Sequence, residues 1–331
     1  MRKHQELKIV CLGGGVGTVQ LLRGLRKYST QITVVCSMAD DGGSGGRLRR
    51  LYSVPPPGDL INCLAALSDA EPVLKELLTF RFSGEKYNHS LPGQKLTGSD
   101  HALPGQKLGN LILVALTKIT GDFDNALIML QRIFSGHGKI LPATIENVAI
   151  SAKTVEGKII RGEEKIDCGE YTGIRALTNV YIEPKNAHTP SAVKVALREA
   201  DVIIAGPGDL YTTILPVLLV PEIKEGIEKS KADKIFVLNI ANKPFETPSY
   251  KVSDYLAALE RHLGKLLFDC ILVNDNFRSL LPKSLNYQYV KMDKSRPLSN
   301  GVKVVQSDLV EREFPLYHNP QKLARAVWSV L

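Results

Sequence analysis

The sequence lacks the features that mark several large classes of protein. Its five cysteines share no CxxC or CxxH spacing, so we expect neither a disulfide scaffold nor a structural zinc site. The apolar runs are too short to span a membrane, and no apolar segment of a secretory signal precedes Ile9. A content of 44% hydrophobic and 23% charged residues excludes wholesale disorder. We therefore expect a soluble, cytoplasmic chain without a membrane partner.

Aromatic residues are also scarce, with one Trp, 9 Phe and 11 Tyr in 331 residues. A nucleic-acid surface combines clustered basic residues with aromatic ones, and the net charge of +8 is not accompanied by such a pattern. The densest basic cluster is Arg47, Arg49 and Arg50. Its local positive field suits a small phosphorylated ligand, which we expect in place of nucleic acid. For the oligomeric state we expect the commonest assembly, a homodimer.

Two familiar nucleotide-binding motifs are missing around the first glycine cluster. The G-x-G-x-x-G fingerprint is not met in any frame of Gly13–Gly17, and no Gly-Lys-Ser/Thr follows as in a P-loop. An apolar run does lead into these glycines, an amphipathic helix capped by Thr18 follows, and residues 32–38 form a second apolar run. Glycines at such a turn let the backbone approach a phosphate, and the helix start offers free N–H groups.

The same order of strand, glycine turn and helix returns late in the chain. Apolar runs predict strands at 200–205, 234–239 and 270–274. Between the two blocks, residues 141–185 change to short alternating runs that are typical of hairpins. We predict one α/β domain over residues 1–331, with a doubly wound, mostly parallel sheet and a β-rich insertion at 141–185.

One segment of the chain is duplicated. His89-Ser-Leu-Pro-Gly-Gln-Lys-Leu recurs with one change from His101 onward. Two copies are too few for a solenoid, and the segment is rich in Pro, Gly and Ser. We therefore predict a mobile, exposed loop over residues 84–109, without separate chemistry.

Candidate catalytic carboxylates stand at two turns of the predicted sheet edge. Asp40 and Asp41 directly follow the second strand, where open α/β sheets bind their ligands. Asp59 follows a triple-proline turn and is placed at the N-cap of the next helix. Such carboxylates hold a divalent cation, accept hydrogen bonds from a ribose, or act as a base. We expect all three to face one cleft.

Two glycine-rich turns flank this cleft in the predicted fold. Ser44 and Arg47 follow Asp41 and are placed to reach phosphate oxygens. The later turn Gly206-Pro207-Gly208, with Tyr211 and Thr212 behind it, repeats the strand, glycine and helix order. Two such turns in one sheet predict a ligand with a diphosphate or with two separated phosphates.

The order of these motifs resembles the CofD-like family, and most closely its YvcK branch of gluconeogenesis factors. The resemblance covers almost the whole chain. It rests on Gly13-Gly14-Gly15-x-Gly17, Ala39-Asp-Asp-Gly-Gly-Ser44, Pro56-Pro-Gly-Asp59-x-x-Asn62, Leu108-Gly-Asn110 and Gly206-Pro-Gly-x-Leu-Tyr-Thr212.

The resemblance implies a Rossmann-like core with a nucleotide site at the carboxyl edge of the sheet. In the YvcK branch it implies a nucleotide sugar such as UDP-N-acetylglucosamine, and a role in carbon metabolism, cell shape and cell-wall regulation. In the CofD branch it implies transfer of a phospholactyl group from a guanosine diphosphate carrier, with Mg²⁺ held by Asp41 and Asp59. An NAD-dependent oxidoreductase is disfavoured because the third glycine of its fingerprint is missing.

The turns and the resemblance together define the candidate ligand-binding residues. They are Gly13, Gly14, Gly15, Gly17, Thr18, Gly42, Gly43, Ser44, Arg47, Gly58, Asn62, Asn110, Gly206, Pro207, Gly208, Tyr211 and Thr212. The chain also departs from the family pattern at four places. Val16 stands where the family has Thr, Gly45 where it has Ser, Ile61 where it has Arg, and Gln106-Lys107 where it has His-Ser. Each departure removes a polar group from the expected site, which implies altered affinity or a lost activity.

Overall fold

A parallel sheet forms the centre of the computed structural model, which describes residues 7–83, 103–293 and 301–331. Within these ranges seven strands are ordered β12-β10-β8-β7-β1-β2-β3, and every neighbouring pair is parallel. The strands in chain order are β1 (Ile9–Gly13), β2 (Ile32–Cys36), β3 (Lys139–Pro142), β4 (Ala149–Thr154), β5 (Ile159–Arg161), β6 (Leu177–Glu183), β7 (Val202–Ala205), β8 (Asp233–Val237), β9 (Ala241–Asn242), β10 (Cys270–Asn274), β11 (Gln288–Tyr289) and β12 (Lys303–Ser307).

The order of the strands reverses between β1 and β7. From β1 the sheet grows through β2 to β3, and from β7 it grows the other way through β8 and β10 to β12. The central strands are buried along their whole length because helices cover both faces, which is why they are continuous apolar runs. The predicted doubly wound, Rossmann-like α/β fold is therefore confirmed. In such sheets the crevice beyond β1 and β7 is the preferred ligand site.

The helices pack on the two faces of the sheet through their apolar sides. No helix in the described ranges is both long enough and apolar enough to cross a bilayer. In chain order the helices are α1 (Gly15–Leu25), α2 (Gly43–Tyr52), α3 (Gly58–Leu67), α4 (Pro72–Thr79), α5 (Leu108–Thr120), α6 (Phe123–Ile133), α7 (Glu163–Asp167), α8 (Ser191–Glu199), α9 (Leu215–Leu218), α10 (Pro221–Lys229), α11 (Val252–Leu263) and α12 (Pro320–Trp328).

A separate three-stranded antiparallel sheet follows the edge strand β3. Its strand order is β5-β4-β6, and the short helix α7 follows β5. This sheet lies within the range 141–185 that was predicted to be a β-rich insertion. The first two residues of that range, Leu141 and Pro142, belong instead to β3 and pair with β2. The insertion thus leaves the main sheet only after its edge strand.

The duplicated segment lies largely outside the described residues, which exclude 84–102. The described end of the predicted loop is held by backbone hydrogen bonds. Phe82 N donates to Gln106 O at 3.0 Å, and Leu108 N donates to Phe80 O at 2.8 Å. Leu108 is already the first residue of α5, so the last two positions of the predicted loop are helical.

Thr18 has a different role from the predicted N-cap of the first helix. Helix α1 begins three residues earlier, at Gly15, with Gly14 as its cap residue. Thr18 Oγ1 accepts a hydrogen bond from Gly14 N at 2.9 Å and donates to Pro207 O at 3.4 Å. The capping prediction was therefore wrong, because the glycines themselves adopt the helical turn. Thr18 joins the two glycine turns instead.

Replacing Thr18 with valine is expected to lower the free energy of unfolding by about 1–2 kcal/mol, because Gly14 N and Pro207 O would both lose a buried partner. Urea denaturation followed by circular dichroism measures the loss. Thr30→Val, at an exposed position after the same helix, is the control and should stay within about 0.5 kcal/mol of wild type. Equal stability of the two variants would contradict the bridging role.

Candidate functional site

Two cavities lie side by side at the carboxyl-terminal edge of the main sheet. The first, about 280 Å³, is called the glycine cavity, and the second, about 310 Å³, the acidic cavity. The glycine cavity is lined by Gly14, Gly15, Val16, Gly17, Pro207, Gly208, Asp209, Thr213, Asn239, Ile240, Ala241, Leu285, Tyr287, Leu316, Tyr317 and His318. The acidic cavity is lined by Asp40, Gly42, Gly43, Ser44, Gly45, Gly58, Asp59, Asn62, Arg81, Lys107, Glu163, Glu164, Asp167 and Cys168.

The two glycine turns face each other across the crevice between β1 and β7. A Cβ at Gly17 would lie 2.4 Å from Pro207 O, and a Cβ at Gly14 would lie 2.1 Å from Asp59 Oδ2. Gly15 has a φ of +64°, in the left-handed region that favours glycine. Backbone therefore forms this wall of the cavity, and the start of α1 directs its N–H groups toward it. The structure thus brings the two predicted glycine turns together.

Asn239, at the end of β8, orients the second glycine turn. Its Oδ1 accepts a hydrogen bond from Gly208 N at 3.0 Å, and its Nδ2 donates to Asp209 Oδ1 at 3.5 Å. The candidate site residues from the sequence did not include Asn239. Its position directly after an apolar strand was the available indication, since polar residues at strand ends line the ligand crevice of open sheets.

The opposite wall of the glycine cavity is aromatic. Tyr287 and Tyr317 line it, and aromatic side chains of this kind can stack on a base. His318 is buried, with Nε2 at 3.0 Å from Leu238 O. Burial lowers the pKa of His318 to about 4, so the imidazole is neutral near pH 7 and supplies no proton for acid catalysis.

The acidic cavity brings Asp40 and Asp59 together. Burial and the charge of Asp40 raise the pKa of Asp59 to about 6, against the hydrogen bond from Gly15 N–H and the charge of Lys107, which both lower it. Burial likewise raises the pKa of Asp40. Asp59 is the second residue of α3 and accepts from Gly15, so its predicted N-cap role was wrong. Carboxylate oxygens are the ligands that Mg²⁺ prefers, so Asp40 and Asp59 would hold the ion in their ionised form.

Asp41 does not line the acidic cavity. Its Oδ1 accepts a hydrogen bond from Glu164 N at 3.0 Å and so fastens α7 to the turn after β2. The pair of carboxylates that shares the cavity is therefore Asp40 with Asp59, in place of the expected pair Asp41 with Asp59. The side chains of Asp40 and Asp41 point in different directions because they belong to consecutive residues of one turn.

Glu163 is a carboxylate of this cavity that the sequence analysis missed. It is the first residue of α7, in the insertion, and the fold places it in the cavity with Asp40 and Asp59. Burial raises the pKa of Glu163 to about 9, and the charge of Asp40 adds to the effect. The side chain is therefore protonated near pH 7 and can donate a hydrogen bond to a ligand oxygen.

The predicted phosphate-binding arginines have other partners. Arg49 Nε donates to Asn147 Oδ1 at 2.8 Å, and its Nη1 donates to Asp40 O at 3.2 Å. Arg50 Nη1 donates to Asp41 O at 2.8 Å. Neither these two residues nor Arg47 lines either cavity. The cluster therefore does not supply the cations of the site, and Arg49 fastens the insertion to the turn after β2.

Lys243 lies where the two cavities meet. Its Nζ is 2.8 Å from Asp209 Oδ2, 3.7 Å from Glu246 Oε1, and in contact with Asp167 Oδ1. These three carboxylates lie within 4.8 Å of one another, a spacing that suits a metal ion. The ammonium group already occupies the space among them, so a metal ion could enter only by displacing it. Sequence analysis missed this cluster because its members come from three distant segments.

Tyr211 and Thr212 belong to the wall behind this cluster. Thr212 Oγ1 donates to Glu246 Oε1 at 2.6 Å, and Tyr211 N donates to Glu246 Oε2 at 3.1 Å. The Tyr211 hydroxyl lies 2.9 Å from that of Tyr250. Both predicted ligand-binding side chains are thus buried among protein groups, and Thr213 lines the glycine cavity instead.

Comparison with known proteins identifies the family. The family model described as 2-phospho-L-lactate transferase CofD matches residues 9–310. The chain is 38% identical over 337 residues to the gluconeogenesis factor of Bacillus subtilis (strain 168), covering 99% of both sequences. It is similar to a solved structure of a UPF0052-family protein from Bacillus halodurans, with a TM-score of 0.85, 34% identity, and coverage of 97% of this chain and 99% of that one. The chain therefore belongs to the CofD/UPF0052 family, with gluconeogenesis factors among its relatives.

Proposed function

We propose that this protein binds a nucleotide sugar of the UDP-N-acetylglucosamine type in the glycine cavity, and that it acts in the cytoplasm as a gluconeogenesis factor. Binding of the nucleotide sugar would depend on carbon supply, and the ligand-bound protein would regulate cell shape and cell-wall synthesis. The observation that carries the proposal is the pair of glycine turns at the reversal of strand order, where Gly17 approaches Pro207 with no room for a side chain. The homodimer stays a prediction.

The lining of the glycine cavity supports a nucleoside diphosphate. The N–H groups of Gly14 and Gly15 already bond to Thr18 and Asp59, so the phosphates would be bound by the following N–H groups of the first turn of α1, where the helix dipole favours their charge. Tyr287 and Tyr317 on the opposite wall suit a stacked base, while Asn239 offers a side-chain amide nearby. Nucleotide-sugar binding itself does not require a metal ion, whereas Asp40 and Asp59 would hold Mg²⁺ in the transferase considered next.

A second candidate is a Mg²⁺-dependent transferase that moves a phosphorylated group from a nucleotide carrier to an acceptor. The acidic cavity favours it, because Asp59 both lines that cavity and accepts the Gly15 N–H of the nucleotide turn. Asp40 is the base candidate in this reaction, and the protonated Glu163 is the hydrogen-bond donor. Asp40→Asn separates the candidates, since the transferase would lose turnover and the binding protein would still bind its nucleotide sugar.

Isothermal titration with UDP-N-acetylglucosamine, GDP and NAD, each with Mg²⁺ and with EDTA, tests the proposal. We expect a dissociation constant in the micromolar range for the UDP-sugar, about −8 kcal/mol, with little loss in EDTA. Chromatography of the same mixtures should show no product. Binding of NAD alone, or of none of the three, would contradict the proposal, whereas Mg²⁺-dependent conversion of a nucleotide would establish the transferase.

A further inference from the structure

Two neighbouring cations in the acidic cavity, Lys107 and Arg81, form no ion pair with any carboxylate in the part of the chain that the structure describes. We infer that they form a site for the phosphate or carboxylate group of a second small ligand, separate from the nucleotide. This site goes beyond the proposed function, because it requires neither a particular nucleotide nor any nucleotide at all.

Among the described residues, the hydrogen bonds of the two side chains lead to uncharged oxygens. Lys107 Nζ donates to Asn62 Oδ1 at 2.7 Å, and Arg81 Nη1 donates to Ser44 Oγ at 3.3 Å and to Gly105 O at 2.5 Å. Across the described ranges of the chain, neither residue has a carboxylate oxygen within ion-pair distance. Lys107 is nonetheless only 6% exposed. The charges of Asp59 and Asp40 act on Lys107 only from beyond ion-pair distance. A buried cation with no anion in contact is costly, so an oxyanion between Lys107 and Arg81 would supply the direct partner.

Lys243 provides a comparison, because it is a lysine of the same region whose charge is neutralised by neighbouring carboxylates. That ammonium group has three carboxylates around it. Lys107 has the Asn62 amide as its hydrogen-bond partner. Burial together with the charge of Arg81 lowers its pKa, whereas the charges of Asp59 and Asp40 raise it. Five acidic side chains line this cavity, yet none of them lies within ion-pair distance of Lys107 or Arg81.

Helix starts add positive potential on the same side. Gly43 begins α2, Gly58 begins α3, and Lys107 directly precedes α5, and all three residues line the cavity. Neither α2 nor α5 carries an acidic residue in its first turn. The N–H groups and dipoles of these helices favour an anion beside the two cations.

The carboxylates across the cavity define what kind of anion fits. Asp40 and Asp59 would repel a bare oxyanion, but a divalent cation held by them would bridge to it. With a volume of about 310 Å³, the cavity is large enough for a small metabolite. The expected ligand is thus a small phosphorylated or carboxylated molecule that binds more tightly with Mg²⁺.

Asp59 separates this site from the nucleotide. Its carboxylate lies against Gly14 and accepts the N–H of Gly15, so the glycine turns stand on one side of it and Lys107 on the other. A phosphate on the glycine turns therefore does not reach Lys107. The nucleotide and the second ligand should therefore bind at the same time. A regulator that responds to both ligands, or a transferase with a second substrate, would require this.

Titration with inorganic phosphate and, separately, with malonate tests the site and distinguishes a phosphate group from a carboxylate group. The experiment uses the full chain at constant ionic strength, with and without Mg²⁺. We expect Lys107→Gln and Arg81→Gln each to weaken binding of the preferred anion at least fivefold. Lys118→Gln, at the other end of α5, is the matched control and should bind like wild type. Because Arg81 is exposed, Arg81→Gln should fold normally. This variant therefore still tests the site if Lys107→Gln does not fold.

The same proteins are titrated with UDP-N-acetylglucosamine to separate the two proposals. All variants should bind it within about twofold of wild type. If wild type did not bind the UDP-sugar, the proposed function would be contradicted, whereas the anion site would not. The anion site would be overturned if wild type bound neither anion, or if both glutamine variants bound them as tightly as wild type does.

Discussion

Replacing Lys243 with methionine is expected to lower the free energy of unfolding by about 3–5 kcal/mol, the usual cost of removing one partner from a buried ion pair. The Lys243 side chain is 15% exposed, and that of Glu246 is 1% exposed. Methionine preserves most of the volume but leaves Asp167, Asp209 and Glu246 without their shared counter-charge. Their mutual repulsion would then open the wall that both cavities share.

The loss should also depend on pH. Burial raises the pKa of Glu246 to about 8, and Asp209 raises it further, whereas Lys243 lowers it. A folded-state pKa above the unfolded value of 4.5 means that stability falls as pH rises from about 4.5 to 8. Without Lys243 the pKa of Glu246 rises further, so the variant should lose more stability over this range than wild type. The difference between the two proteins is thus larger at pH 8 than at pH 5.

Urea denaturation at both pH values measures this effect. Lys229→Met is the matched control, because Lys229 pairs with Glu225 on an exposed helix surface, and this variant should be about as stable as wild type. A Lys243→Met variant as stable as this control at pH 8 would show that the cluster is not held together by the ammonium group. A loss that did not change with pH would show that the carboxylates do not carry the effect.

The strands that could be predicted from sequence are those buried on both faces. β1, β2, β7, β8 and β10 are continuous apolar runs because helices cover both sides of the sheet. The edge strands β3 and β12 were not predicted. β3 is a four-residue strand with an exposed lysine at its start, and β12 has only exposed and half-buried residues, so neither differs clearly from a loop in sequence.

The candidate site was predictable where it follows directly from strand ends. The glycine turns and Asp40 stand at carboxyl ends of parallel strands, so the topology alone brings them to one edge. Glu163, Lys107 and Lys243 come from the insertion and from connecting segments, whose return to the edge depends on tertiary packing. The basic cluster around Arg49 led to a wrong expectation for the same reason. Arg49 forms a hydrogen bond with the insertion and does not line the cavity.

Replacing Gly17 with alanine is expected to weaken nucleotide-sugar binding at least tenfold, equivalent to about 1.4 kcal/mol. In an ordinary helix position this change would stabilise the protein by about 1 kcal/mol. Here the new Cβ would lie 2.4 Å from Pro207 O and 2.8 Å from Pro207 C, both backbone atoms. The two glycine turns must then move apart, which misplaces the N–H groups that face the phosphates and costs about 1–3 kcal/mol of overpacking.

Isothermal titration with the UDP-sugar and urea denaturation check both parts of this prediction. Gly226→Ala is the matched control, another helical glycine, whose new Cβ would meet the flexible end of Leu197 at 2.9 Å, away from both cavities. It should bind the ligand like wild type. If Gly17→Ala lost stability but kept its affinity, the ligand would not depend on the spacing of the two turns. Retained affinity would therefore contradict a phosphate site built from both backbones, whereas a joint loss would support it.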